Sequence, residues 1–124
     1  MSEQKGAYRY ALAAADTGGG VLSLANPEGV DLIVTRLILD VTTKTTAACT
    51  LDAGIAAAAT TVSDTLIDGL DVNAATGIFG NIDDQGSNGQ SVVKWDSDEY
   101  LTVSMKTGAA AGIAGYAYIQ WVRV

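Results

Sequence analysis

Apolar residues in this chain recur at every second position, in short runs that end at glycine, aspartate or asparagine. Cys49, Leu51, Ala53 and Ile55 alternate with Thr50, Asp52 and Gly54; Leu101, Val103 and Met105 alternate with Tyr100, Thr102 and Ser104. A period of two is the repeat of an extended strand with one face in a core. The 14 glycines and 13 threonines oppose long helices and suit strands joined by glycine turns. The run Ala56–Ala59 is too short to nucleate a helix alone, so it is expected as a turn.

The same reading finds further strands along the chain. Over 7–12, Tyr8, Tyr10 and Leu12 share one face, and Ala7, Arg9 and Ala11 the other. Val21–Ala25 follows the triple glycine, and Asn26-Pro27-Glu28-Gly29 has the proline placement of a type I or II turn. Over 31–43, strict alternation puts Ile33, Leu37, Leu39 and Val41 on one face, with Leu32, Val34 and Ile38 beside Arg36 and Asp40 on the other. Strands are also expected over 91–95, 100–105 and 115–124, the last apolar on both faces. Residues 64–90, rich in Gly, Asp and Asn, read as one long loop with a tight turn at Asn88-Gly89. About seven or eight short strands predict an all-β fold: a single antiparallel β-sandwich, jelly-roll-like, with one loop-rich acidic segment.

A chain of 124 residues fits one domain, expected over 7–124, with 1–6 as a flexible N-terminal arm fixed only by a partner. Its apolar fraction is 48%, but 20 of those residues are alanine, so the core must rest on 29 Val, Ile and Leu. Cys49 is the lone cysteine, which excludes an intrachain disulfide and a thiolate zinc site; it reads as a small buried hydrophobe. The first residues lack the basic-then-apolar layout of a signal peptide, and no stretch approaches 18 apolar residues. The expectation is a protein folded in a reducing cytoplasm, away from membranes.

Net charge is −7, and it is concentrated. Between Asp64 and Glu99 there are eight acids and one base, Lys94, while the remainder sums to zero. A direct nucleic-acid partner is therefore disfavoured, since phosphate binding needs clustered bases. The acidic loops fit an exposed solvated face, or alternatively a cation site built from turn carboxylates.

Catalytic patterns are missing from the sequence. Without histidine the commonest general base and metal ligand are gone. Gly18-Gly19-Gly20 lacks dinucleotide-loop spacing, and Gly86–Ser91 lacks the ending of a phosphate loop. Asp83-Asp84 or Asp96 with Asp98 could pair as glycosidase carboxylates, but acids in Gly/Asn turns are usually turn-forming. The chain is read as no enzyme, with no cofactor.

Five of the eight aromatics lie near the two ends: Tyr8, Tyr10, Tyr116, Tyr118 and Trp121. They fit either a shared aromatic core layer or an intersubunit interface. An alternative binding reading, for glycans, uses Trp95 and Tyr100 as platforms beside Asp96, Asp98 and Asn88.

Three stretches carry a family resemblance. They are Gly20–Gly29; Leu66–Val72 with Gly80-Asn81-Ile82-Asp83-Asp84, Gly86 and Asn88-Gly89; and Ala109–Ile119. From Gly19 onward the chain resembles small virion structural proteins encoded beside capsid genes in tailed bacteriophages. The resemblance implies a virion location, assembly in the host cytoplasm, and a capsid decoration role. Its implied partners are the major capsid protein or other virion proteins, with further copies of itself. A neck, tail or fibre-base position is the alternative within the virion.

Overall fold

The computed structural model describes residues 4–124, and every regular element in them is a strand. There are nine: β1 Lys5–Ala11, β2 Leu22–Ala25, β3 Leu32–Thr43, β4 Cys49–Ala56, β5 Ile67–Asp71, β6 Gly77–Gly80, β7 Val93–Trp95, β8 Tyr100–Gly108 and β9 Ala114–Arg123. They form two antiparallel sheets. The first runs β1-β9-β3-β6, with β7 also on β3; the second runs β2-β8-β4-β5. The pairs β1/β9, β2/β8, β3/β6 and β4/β5 thus lie one after another along a folded-over ribbon, which is the jelly-roll arrangement. The sandwich expected from the sequence is the fold observed, with nine strands rather than seven or eight.

The core lies between the sheets. Leu32, Val34, Leu37, Leu39 and Val41 of β3 meet Ala117, Ile119 and Trp121 of β9 there, against Leu51, Ile67, Leu101 and Val103 of the second sheet. Each fully buried Leu, Ile or Val contributes about 1.5–3 kcal/mol over leaving it exposed.

Strict alternation misassigned β3, and a bulge is the reason. Its register against β9 shifts between Val34 and Arg36, leaving Thr35 as an extra residue. One extra residue exchanges the faces. Leu32 and Val34 therefore join Leu37, Leu39 and Val41 inside, while Ile33, Arg36, Ile38 and Asp40 face out. At this point the partner of β3 also changes, from β7 at Leu32–Val34 to β6 at Ile38–Val41. The buried side chain of Asn81 fills the gap. Its Oδ1 accepts from Leu37 N at 2.8 Å, and its Nδ2 donates to the carbonyls of Gln90 and Ser91.

Two other expectations change. The first strand begins at Lys5, and Arg123 N donates to the Gln4 carbonyl, so residues 4–6 are tied to β9 instead of hanging free. The rest of the expected arm lies outside the described residues. The segment expected as one loop contains β5 and β6, whose Ile67 and Leu70 reach the core.

Candidate functional site

The outer faces of the two sheets are treated differently. On the second sheet the outward Asp52, Thr102 and Ser104 are buried, because the chain's own loops cover them. Thr102 Oγ1 donates to the Thr61 carbonyl at 2.9 Å, Gly19 N donates to Ser104 Oγ at 2.9 Å, and Ser63 Oγ donates to the Ile55 carbonyl at 2.8 Å. Gly54 lies directly beneath this cover: a Cβ there would stand 2.4 Å from Ser63 Oγ and 2.6 Å from Thr65 N.

Among the described residues, no loop covers the outer face of the first sheet in this way. Register places Arg9, Tyr118, Ile38 and Gly80 in one row across β1, β9, β3 and β6, and Ala11, Tyr116, Asp40 and Ile78 in the next. Ile78 is 74% exposed and Tyr116 37%, with Ile38 and Tyr118 half-buried in the adjoining row and Ile33 and Val122 half-buried farther along the same face. The Arg9 guanidinium lies 4.6 Å over the Tyr116 ring, a cation–π pair. A depression of about 510 Å³ opens on the β1/β9 side beside the β3 bulge, lined by Lys5, Gly6, Ala7, Thr35, Gln120, Trp121 and Val122.

The five terminal aromatics consequently divide. Tyr116 and Tyr118 stand on the open face, whereas Tyr8, Tyr10 and Trp121 point toward the core. Tyr8 stacks on Trp121 with ring centroids 6.0 Å apart. The Tyr8 hydroxyl donates to Glu28 Oε2, and Arg123 Nη2 donates to Glu28 Oε1 at 2.6 Å. The bond to Glu28, then burial, pushes the Tyr8 phenol up to about 12. This group closes one end of the sandwich and ties β1 and β9 to the turn after β2.

The glycan platform is not formed. Trp95 is fully buried, and its Nε1 donates to the Glu99 carbonyl at 2.9 Å.

Three carboxylates of the acidic segment are held in local turns. Asp84 Oδ2 accepts from Gly80 N, Asp71 Oδ1 from Asn73 N and Ala74 N, and Glu99 Oε1 from Asp96 N. Asp68 pairs with Lys106 at 2.5 Å. Asp68, Asp71 and Asp84 line a cleft of about 400 Å³ between β5 and β6. Among the described residues, no group of three or more Asp, Glu or Cys side chains is placed to hold a metal ion.

A chain in the structure titled "Capsid of Ralstonia phage GP4" superposes with a TM-score of 0.63 over 97% of this chain and 84% of that one, at 22% sequence identity. The fold is shared with a phage capsid chain. No family model and no curated protein matches the sequence.

The sequence singled out Tyr116 and Tyr118 but not the apolar residues beside them. Strict alternation put Ile33 and Ile38 on opposite faces, which the bulge at Thr35 brings together, and Ile78 lay in what read as loop. The detectable signal was the two-faced apolar pattern of the last strand, which requires a neighbour on each side.

Proposed function

We propose that this chain is a structural protein of a phage virion, bound to the assembled shell as a capsid decoration protein. The observation that carries the reading is a jelly roll shared, over 97% of the chain, with a chain of a phage capsid. The resemblance of the sequence to small virion proteins points the same way.

The mechanism is cementing. A folded domain lies across the joints between shell subunits and adds contact area there. Such a role needs a rigid body and an open surface. The two-sheet core supplies the first, and the uncovered face of β1-β9-β3-β6 supplies the second. The acidic loops point to solvent in this arrangement, where their charge keeps particles apart.

Purified particles test the reading. Mass spectrometry should find the chain in amounts proportional to the shell protein, and electron cryomicroscopy should place a jelly roll on the shell surface. Absence of the chain from particles would reject a virion role. Density at the neck or tail would keep that role and reject decoration.

A further inference from the structure

Resting on the virion reading, we infer that the outer face of β1-β9-β3-β6 is the docking surface and that it binds an acidic protein surface on the shell.

The choice of face follows from the contrast between the sheets. Polar loops seal the second sheet, burying Thr102 and Ser104 completely. The first sheet leaves Ile78 and Tyr116 exposed and Ile38 and Tyr118 half-buried in adjoining rows, and monomers rarely leave a contiguous apolar patch without a use. Tyrosine and arginine are the residues that interface centres favour.

The partner's chemistry follows from charge. Lys5, Arg9 and Arg36 stand on this face against one acid, Asp40. A fourth base, Lys94, sits at its corner between Asp31 at 3.7 Å and Asp96 at 3.6 Å. With Lys94 and its two neighbours included, four bases against three acids give +1 on a chain of net −7, so the rest carries −8. A basic, aromatic face on an otherwise acidic protein complements an acidic surface. It opposes face-to-face pairing of two copies, which would bring two faces of net positive charge together. The depression beside Lys5 and Gln120 gives an incoming side chain a place to sit.

The test is rebinding of purified protein to particles lacking it, at rising salt, with wild type, Arg36→Glu and Lys44→Glu. The last makes the same charge change in the loop beyond β3. Thermal melts establish that each variant is folded. Wild-type binding should weaken as salt rises, Arg36→Glu should bind about tenfold more weakly at low salt, and Lys44→Glu should match wild type. Salt-insensitive binding with Arg36→Glu equal to wild type would overturn the docking face while leaving the virion role intact. Failure of wild type to bind any particle would instead reject the virion role. Salt-sensitive self-association of free wild type, abolished by Arg36→Glu, would make the occupant a second copy and overturn the acidic shell surface as partner.

Discussion

Tyr116 and Trp121 lie on the same strand, β9, and face opposite ways: Tyr116 onto the open surface under Arg9, Trp121 into the core against Tyr8. One strand thus carries a residue of the proposed docking face and a core wedge, and substitution should separate the two roles. Trp121→Ala should cost about 3–5 kcal/mol of stability. Tyr116→Ala should change stability by about 0.5 kcal/mol or less, while weakening attachment to particles. Urea unfolding together with particle binding reads both quantities. Equal loss of stability in the two variants would contradict the assignment.

Gly6 is where β1 makes room for that wedge. A Cβ at Gly6 would stand 2.5 Å from Trp121 Cζ2. Gly6→Ala should therefore cost about 1–3 kcal/mol. In a Trp121→Phe background, where the colliding ring atom is gone, the same change should cost less. A double-mutant cycle in urea measures the difference, and strict additivity would show that the two residues do not press on each other.

The carboxyls of Asp52 and Asp68 should respond to pH in opposite directions. Burial pushes Asp52 above the usual carboxylate range, despite the Gly69 N–H and nearby Lys106. Its raised value makes folding favour the protonated form, so its contribution is present at low pH and lost as pH rises through the folded value. Asp52→Asn keeps an acceptor for Gly69 and removes the charge. The variant should be more stable than wild type at pH 7, with the gap closing toward about pH 3, below the ordinary value of about 3.9. Lys106 holds Asp68 below the usual range, so its contribution is present at pH 7 and lost on acidification. Asp68→Asn should accordingly lose stability at pH 7, by an amount that shrinks as pH falls below the ordinary value of about 3.9. Denaturant midpoints across this window check both signs.

The cover over the second sheet depends on the missing side chain at Gly54. Gly54→Ala should displace the 57–65 loop, since a methyl there meets Ser63 Oγ and Thr65 N. The expected result is a loss of about 1–3 kcal/mol and faster protease cutting within 57–65. An unchanged cleavage pattern would show that the loop is held elsewhere.

Removing charge from the turns should leave docking intact. Asp83, Asp84, Asp96 and Asp98 replaced together by asparagine should bind particles as wild type does, while lowering particle solubility. Loss of binding with the fold preserved would reverse the orientation proposed for the domain.

Much of the fold was legible because apolar and polar side chains alternate along most strands. Cys49 to Ile55 and Leu101 to Met105 alternate in sequence as they do in space. Three features were hidden, each for a physical reason. Thr35 is an ordinary strand residue, and nothing local marks it as the extra one that exchanges the faces of β3. The strands β5 and β6 are five and four residues long and contain Gly69, Gly77 and Gly80, so their composition is that of a turn. Asn81 looks like one more loop amide; its role appears only where β3 changes partners and Leu37 N needs an acceptor. The candidate surface was half legible, since the last strand's tyrosines could be read directly while Ile78 and Ile38 joined them only through the sheet register.

The pairing of β1 with β9 has a consequence in time. Strand β9 lies between β1 and β3, and the bond from Arg123 N to the Gln4 carbonyl spans almost the whole described chain. Contacts so distant in sequence form slowly, because the intervening chain must be ordered first. During translation, a chain still lacking β9 holds the apolar edges of β1 and β3 with no strand between them. That interval is when aggregation threatens. Refolding yield should therefore fall steeply with protein concentration, even for a domain that is stable once the ribbon has closed.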